Sequence, residues 1–160
     1  MRLYLDASAV LKRYVSEVGS DSIARVFQSA DGGQVSLQYS LWTLGECLGV
    51  LDRLDRQGRL PRGGLERGRR LVLGETARLV RLGVLSITPL RARLIHRSWG
   101  LLLKHHLYEA DAVHIATALA SRSDVVLTSD AHVTRGAAAE GLRVLDPEVD
   151  GREIAKVLLS

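Results

Sequence analysis

The chain opens with a short apolar segment that ends on an acid, and this constrains the fold more than any other feature. Residues 3–5 (Leu-Tyr-Leu) are apolar without alternation, which is typical of a strand covered on both faces of a sheet. Asp6 follows at once and is the only charge within residues 3–11. Small residues at 7–9 let the backbone turn into a helix predicted over residues 10–14. Asp6 is therefore expected at the carboxyl end of a strand, where open α/β sheets place their functional sites.

Further apolar segments alternate with helical patterns along the chain. The predicted strands that follow the first cover residues 34–37, 84–87, 124–128 and 142–145. Strands joined by helical crossovers form parallel sheets with helices on both faces. The predicted fold class is therefore α/β, with a single-domain, three-layer α/β/α architecture around a central, mainly parallel five-stranded sheet. Residues 1–147 form the predicted domain, and residues 148–160 a tail that is predicted to be helical and packed on it.

Length and composition favour one globular domain. A chain of 160 residues can bury roughly two thirds of its unfolded surface in a single core. No apolar run reaches the length of a bilayer span, and the first residues do not resemble a signal peptide, so a cytoplasmic location away from membranes is predicted. The single cysteine, Cys47, cannot form an internal disulfide and is predicted to be a buried apolar side chain rather than a catalytic thiol.

The charge balance favours a polyanionic partner. The net charge is +4, and nineteen of the twenty-two basic residues are arginines, whose planar guanidinium suits phosphate groups. A GC-rich genome would also raise the arginine count. Residues 53–81 carry nine arginines against three acids, a local excess of six positive charges. A helix after Pro61 is predicted to have a core-facing side, formed by Leu65, Leu71, Val72, Leu79 and Val80. Four glycines weaken this helix, so the segment is predicted to be an exposed, mobile arm, with Arg53 and Arg56 as candidate substrate-binding residues.

Four acids each stand alone in an otherwise uncharged, largely apolar segment: Asp6, Glu46, Asp111 and Asp130. Glu46 lies in a helix predicted over residues 41–56 that is expected to be buried nearly all round as far as Leu51. If the four acids converge, their repulsion raises some of their pKa values unless a cation neutralises them. An all-oxygen ligand set suits Mg²⁺ or Mn²⁺, which can activate water for the hydrolysis of a phosphodiester. The alternative is that an arginine or a helix cap satisfies each acid separately.

The same segments, in this order, resemble a PIN domain. The resemblance rests on Leu-Tyr-Leu-Asp-Ala-Ser ending at Ser8, on Glu46 within a helix, on the block Glu109–Ala118 and on Val-Leu-Thr-Ser-Asp ending at Asp130. More narrowly, the sequence is similar to the small VapC-type toxins of toxin–antitoxin pairs from Arg2 to about Pro147. The resemblance implies that the four acids hold the metal, with Asp6 and Asp111 as its principal ligands.

The resemblance also implies an activity and a set of partners. By the resemblance, Ser8 and Thr128 or Ser129 would orient the acids or metal-bound water. From its spacing alone, His114, three residues after Asp111 on the same helix face, is either a substrate contact or a histidine that belongs to the core or supports the acids. The family consists of Mg²⁺- or Mn²⁺-dependent ribonucleases, and its toxin members commonly dimerise and are inhibited by a small antitoxin. The expected function is a metal-dependent endoribonuclease that acts as a toxin. RNA, a small antitoxin protein and a second copy of the chain are its expected partners.

Two other functions fit the same residues. The first is a non-catalytic binding module whose acidic pocket docks a basic peptide or an RNA-processing partner. The second is a housekeeping RNA-processing nuclease without an antitoxin. A nucleotide cofactor is not expected, because no glycine-rich phosphate loop follows a predicted strand.

Overall fold

Five parallel strands form one sheet at the centre of the molecule. The structure is a computed structural model that describes residues 1–159, so the last residue of the predicted tail lies outside the described residues. The strands of this part are β1 (Arg2–Leu5), β2 (Ser36–Ser40), β3 (Leu85–Thr88), β4 (Val125–Leu127) and β5 (Arg143–Leu145). Their order across the sheet is β3-β2-β1-β4-β5, and every pair is parallel. The predicted fold class is confirmed.

Helices cover both faces of the sheet. Within residues 1–159 they are α1 (Ala7–Leu11), α2 (Ser20–Asp31), α3 (Leu41–Arg56), α4 (Gly64–Arg81), α5 (Ala92–His105), α6 (Glu109–Ala120), α7 (Ala131–Ala139) and α8 (Gly151–Leu158). On one face, Leu3, Leu5 and Leu37 belong to a large apolar core shared with α1, α2, α3, α4 and α8. On the other face, Tyr4 and Val126 pack against α6. None of the helices in the described residues is both long enough and apolar enough to span a membrane.

Two predicted element boundaries are wrong because capping side chains set the observed ones. The first helix was expected over residues 10–14 but occupies Ala7–Leu11, since Asp6 accepts a hydrogen bond from the Ala9 amide and so starts the helix at once. The second strand was expected over residues 34–37 but runs over Ser36–Ser40. Ser40 ends it by capping α3, where its hydroxyl accepts from the Thr43 amide at 3.1 Å.

The expected mobile arm over residues 53–81 is wrong. Most of it is α4, an amphipathic helix whose inner face buries Val72, Thr76 and Leu79 against α3 and β3. Gly68 allows the close approach to α3, because a Cβ at that position would lie 3.1 Å from the Leu51 methyl groups. Apolar residues at helical spacing therefore fix this segment although its outer face is strongly basic.

Helix α3 is less buried than expected. Its inner face consists of Leu44, Cys47, Leu51 and Leu54, but Leu41 is 53% exposed and the opposite side, at Gly45 and Gly49, is open to solvent. Cys47 is fully buried, as predicted, and burial raises the pKa of its thiol to about 12. A thiol with that pKa is almost wholly protonated at neutral pH, which fits a packing role.

Polar residues line the carboxyl edge of the sheet. Ser40 of β2 pairs with Thr88 of β3. On the other side of the sheet, Leu5, Leu127 and Leu145 pair in one row. The next row therefore contains Asp6, Thr128 and Asp146 side by side. Extending the register of β1 and β2 by two residues from Tyr4 and Gln38 brings Asp6 into the row of Ser40. Five consecutive strand ends therefore carry hydroxyl or carboxyl groups in one row.

The segment that follows β5 packs closely against residues 12–19, which precede α2. Lys12, which is buried, donates to Glu148 at 2.7 Å and to Glu17 at 3.2 Å. Gly19 has a φ of +87°, and a Cβ there would lie 2.8 Å from the carbonyl carbon and oxygen of Pro147. Only glycine combines this backbone conformation with so close an approach.

Replacing Gly19 by alanine is expected to lower the free energy of unfolding by about 2–3 kcal/mol, because the new Cβ meets backbone atoms and adopts a disfavoured φ. Gly33→Ala is the matched control, since Gly33 also has a positive φ (+72°) but open space around it, and it is expected to cost about 1 kcal/mol. Urea denaturation of both variants measures the difference. Equal losses would contradict the predicted contact with Pro147.

Candidate functional site

Asp6 lies buried at the end of β1, with only 3% of its surface exposed. Its Oδ1 accepts hydrogen bonds from the Ser8 hydroxyl at 2.7 Å and from the Ala9 amide at 2.9 Å. Its Oδ2 accepts a hydrogen bond from the Thr128 hydroxyl. Three donors therefore hold the carboxylate in one orientation, and they supply part of the compensation that a buried charge requires.

The same two hydroxyls connect Asp6 to the end of β4. The Ser8 hydroxyl accepts from the Ser129 amide at 2.9 Å, and the Thr128 hydroxyl accepts from the Asp130 amide at 3.0 Å. Asp130 begins α7, where its Oδ1 accepts from the amides of His132 and Val133 at 2.7 and 3.2 Å. The strand ends of β1 and β4 thus form one hydrogen-bonded unit, which includes the hydroxyls of Ser8 and Thr128 and the backbone amide of Ser129.

The environment of Asp6 disfavours its ionised form. Burial raises the pKa of its carboxyl, while the charge of His114 and the hydrogen bonds from Thr128, Ser8 and Ala9 lower it, and the net effect is a raised pKa. A nearby cation would reverse this balance.

Glu46 is not isolated, as the sequence pattern suggested, but paired. Its Oε2 lies 2.7 Å from Nε2 of His114, and Nδ1 of that buried histidine lies 2.8 Å from the Tyr4 hydroxyl. Burial of the ring opposes protonation, but Tyr4 and the carboxylates of Glu46 and Asp6 outweigh it and raise the pKa of His114 well above its usual range. The chain from Tyr4 to Glu46 therefore links β1, α6 and α3.

Asp111 lies in the first turn of α6 and is half-buried. Burial and the neighbouring charges of Asp130 and Glu46 raise the pKa of its carboxyl, against the opposing influence of His132 and His114. Asp111 thus interacts electrostatically with Asp130, Glu46 and His114, and His114 in turn interacts with Asp6. The four predicted acids therefore lie within one electrostatic environment. Within residues 1–159, none of the four forms an ion pair with an arginine or lysine.

The four acids match the ligand chemistry of a hard divalent cation. Carboxylate oxygens are the preferred ligands of Mg²⁺ and Mn²⁺, and the raised pKa values of Asp6 and Asp111 indicate negative charge that is incompletely compensated. In the arrangement described for residues 1–159, no three His, Cys, Asp or Glu side chains are grouped closely enough to hold a metal ion. Glu46 is turned toward His114, and Asp6 toward its three donors.

Comparison with known proteins identifies the family. The family model described as the PIN domain matches residues 3–139 of the sequence, which is most of the chain. This chain belongs to the PIN domain family. A comparison with curated protein sequences gave no match.

Solved structures share the fold of this PIN domain. VapC20 of Mycobacterium tuberculosis, described as a sarcin-ricin loop cleaving toxin, is 18% identical with a TM-score of 0.63, over 83% of this chain and 93% of its own. FitAcB of Neisseria gonorrhoeae is 17% identical with a TM-score of 0.64, over 91% and 97%. VapBC2 of Rickettsia felis, solved with a DNA fragment from its promoter, is 15% identical with a TM-score of 0.61, over 91% and 98%. At these identities the likeness shows the fold.

Three further residues of the PIN domain were predicted to contact substrate. Arg56 is exposed on α3 and pairs with Asp52 at 2.9 Å, and Arg53 is exposed one turn earlier. His114 is buried, so its position fits the core interpretation, and substrate contact by any of the three stays a prediction.

Sequence reasoning missed one acid of the PIN domain that the hydrogen bonds connect to the site. Asp146 follows β5, and its Oδ1 accepts from the Ser129 hydroxyl at 2.6 Å and from the Glu148 amide at 2.9 Å. The signal was present, because Asp146 directly follows a predicted strand, as Asp6 does. It was hidden by further acids at positions 148 and 150, so Asp146 does not stand alone in its segment.

The raised pKa of Asp111 predicts a gain in stability when its charge is removed. An acid whose pKa is raised by folding costs stability when ionised, and this cost disappears below its ordinary pKa of about 3.9. Allowing for screening at a half-exposed side chain, Asp111→Asn is expected to raise Tm at neutral pH by roughly 1–3 °C, and this gain is expected to disappear as the pH falls below about 3.9. Thermal unfolding across this pH range measures the effect.

Asp21→Asn is the control for that measurement, because Asp21 is an exposed acid in the first turn of α2 and loses only its favourable interaction with the helix dipole. It is expected to lower Tm slightly at neutral pH. A fall in Tm for Asp111→Asn, or a gain that does not depend on pH, would contradict the predicted repulsion.

Proposed function

We propose that this PIN domain is a metal-dependent endoribonuclease that hydrolyses RNA phosphodiester bonds through Asp6, Glu46, Asp111 and Asp130. The observation that supports this most strongly is the hydrogen-bonded unit of Asp6 with Ser8, Thr128 and the backbone of residues 129–130. It fixes a buried carboxylate at the carboxyl edge of the sheet, where Asp111 and Asp130 already repel each other. PIN domains are generally nucleases, and this set of residues suits that chemistry.

Each residue has a specific task in this proposal. Ser8 and Thr128 hold both oxygens of Asp6 in place, and the α7 amides hold one oxygen of Asp130. His114 holds Glu46 and partly neutralises the site. A divalent cation bound by the four acids would supply Lewis acidity, activating water and neutralising charge on the phosphate. Because these acids must be ionised to bind it, cleavage is expected to rise with pH across the acidic range.

The test is a cleavage assay on single-stranded and structured RNA with Mg²⁺ or Mn²⁺, with and without EDTA. The expected result is cleavage that EDTA abolishes and that added Mn²⁺ restores. Cleavage that persists in EDTA would contradict the metal requirement. RNA binding without cleavage under any metal would instead favour the non-catalytic binding module.

We further propose that the enzyme is the toxin of a toxin–antitoxin pair and that it works as a homodimer. Support comes from the fold shared with VapC20, whose description names a toxin, and with a toxin–antitoxin complex of Klebsiella pneumoniae (16% identity, TM-score 0.56). Induced expression in bacteria is expected to stop growth, whereas Asp6→Asn is expected to have no effect. Growth arrest that a small protein from the neighbouring reading frame relieves would support the toxin. Normal growth, with RNA cleavage in vitro, would favour a housekeeping nuclease.

A further inference from the structure

The first turns of α5 form a basic surface around a cavity. Arg91, Arg93 and Arg97 are exposed and line an open cavity of about 300 Å³ together with Thr88 and Pro89 at the end of β3. In the part of the chain that the structure describes, none of the three guanidinium groups has a carboxylate within ion-pair distance. Their positive charge is therefore available to a ligand from solution.

Several other arginines of the exterior are neutralised by an acid, unlike the three of this surface. On α3 and α4, Arg56, Arg69 and Arg78 are each paired with an acid at 2.8–3.0 Å. At α5, the first turn contains no acid, and no side chain caps its N-terminus. The partial positive charge of the helix end thus adds to that of the three arginines. An anionic group is the ligand that this combination favours.

Aromatic rings continue the surface toward the acids. Trp99 is 51% exposed, and its ring centroid lies 5.6 Å from that of the exposed His96. The indole Nε1 donates to Glu109 at 3.3 Å, two residues before Asp111. Arg93, His96 and Trp99 follow at three-residue intervals and so lie along one row of α5, with about 9 Å of helix rise from Arg93 to Trp99. Arg97 flanks the start of this row and faces away from Trp99. Positive charges for phosphates and flat rings for bases therefore follow one another along α5.

The sheet places this surface close to Asp6. Thr88, at the edge of the cavity, lies in the same register row as Asp6, two strands away. Two strand spacings amount to about 10 Å, which corresponds to roughly three nucleotides at the 3.4 Å spacing of a stacked strand. A strand of nucleic acid cut at Asp6 can therefore reach the cavity.

We propose that the α5 strip, defined as Arg91, Arg93, His96, Arg97 and Trp99, binds single-stranded RNA next to the bond that is cut. The arginines hold backbone phosphates, and Trp99 stacks on a base. This inference rests on the proposed ribonuclease function and adds a location for the substrate. The exposed rings favour RNA over an acidic peptide, because stacking on flat side chains contributes to binding of unpaired bases.

The test compares two double variants of equal charge. Arg91→Gln/Arg97→Gln removes two charges from the strip, and Arg67→Gln/Arg81→Gln removes two exposed, unpaired charges from α4. Both are made in an Asp6→Asn background with EDTA, so that cleavage does not interfere. Fluorescence anisotropy with a short labelled single-stranded RNA of mixed sequence measures Kd at several salt concentrations.

The strip variant is expected to bind about tenfold more weakly than the parent at physiological salt. Its plot of log Kd against log salt concentration is expected to be shallower by about 1.4, because each lost phosphate contact removes about 0.7. The α4 variant is expected to bind within about twofold of the parent. Equal losses in both variants, or no loss in the strip variant, would overturn the proposal.

Trp99 provides a readout of position. In a Trp42→Phe protein it is the sole tryptophan of the chain, and stacking of a base is expected to quench its fluorescence when RNA is added. No quenching at saturating RNA, or quenching by a poly-glutamate peptide but not by RNA, would overturn the proposal. The cleavage assay is scored separately. Cleavage with unchanged binding by the strip variant rejects the strip alone, and strip-dependent binding without cleavage rejects the nuclease alone.

Discussion

Asp6→Asn is expected to reduce RNA cleavage by about 10³-fold or more while leaving the fold intact. Asp6 is the buried acid on which Ser8, Ala9 and Thr128 converge, so its charge is the feature that the surrounding hydrogen bonds position. The amide keeps the shape but provides one acceptor oxygen and no charge. Cleavage rates with saturating Mn²⁺, measured together with thermal unfolding, give both quantities.

The stability of Asp6→Asn is expected to change by less than about 1 kcal/mol, because relief of the desolvation cost offsets one weakened hydrogen bond. Asp52→Asn is the control, since Asp52 is an exposed acid paired with Arg56 on α3, and it is expected to cleave at the parent rate. Substantial cleavage by Asp6→Asn, or equal losses in both variants, would contradict a catalytic role for Asp6.

His114→Ala is expected to lower the free energy of unfolding by about 3–5 kcal/mol, which corresponds to roughly 6–20 °C in Tm. The change opens a cavity in a buried region and leaves the fully buried Tyr4 hydroxyl without its partner. It also frees Glu46 from its 2.7 Å contact. Because the folded protein raises the pKa of His114, this loss is expected to be greatest below about pH 6.5 and to shrink at alkaline pH.

Tyr4→Phe separates the two parts of that loss. It removes only the hydroxyl contact with Nδ1 of His114 and is expected to cost about 1–2 kcal/mol. The double variant Tyr4→Phe/His114→Ala is expected to lose less than the sum of the single variants, since both changes remove the same contact. Strict additivity in urea denaturation would show that the Tyr4–His114 contact does not contribute to stability.

The positions of two candidate site residues could be predicted from local sequence because strand ends determine them. Asp6 directly follows the apolar strand β1, and Asp130 follows β4 after two polar residues. Parallel strands place their carboxyl ends at one edge of the sheet, so both acids lie at that edge. The hydroxyls of Ser8 and Thr128 belong to the same strand ends and are found in the same hydrogen-bonded unit. Alternation of strands and helices predicted the α/β class for the same reason.

Pairing between helices could not be predicted in this way. Glu46 and His114 are 68 positions apart and meet because α3 and α6 pack together, which no local pattern encodes. The mobile arm expected over residues 53–81 was wrong for a different reason. The sequence shows an apolar stripe there, but the prediction gave more weight to the charges and glycines of the segment than to the burial of Val72 and Leu79. The cavity at α5 is lined by residues that are distant in sequence, such as Thr88 and Ala120, and these come together only in the folded chain.

The most direct measurement is a crystal structure of the protein soaked in Mn²⁺, with anomalous scattering used to locate the ion. We expect an anomalous peak bounded by Asp6, Asp111 and Asp130, with Glu46 turned from His114 toward the ion, and no such peak in Asp6→Asn. The contradicting result is Mn²⁺ bound at other places in the crystal but no anomalous peak among these acids, although the same preparation cleaves RNA. That result would show that the acids do not act together on a divalent cation.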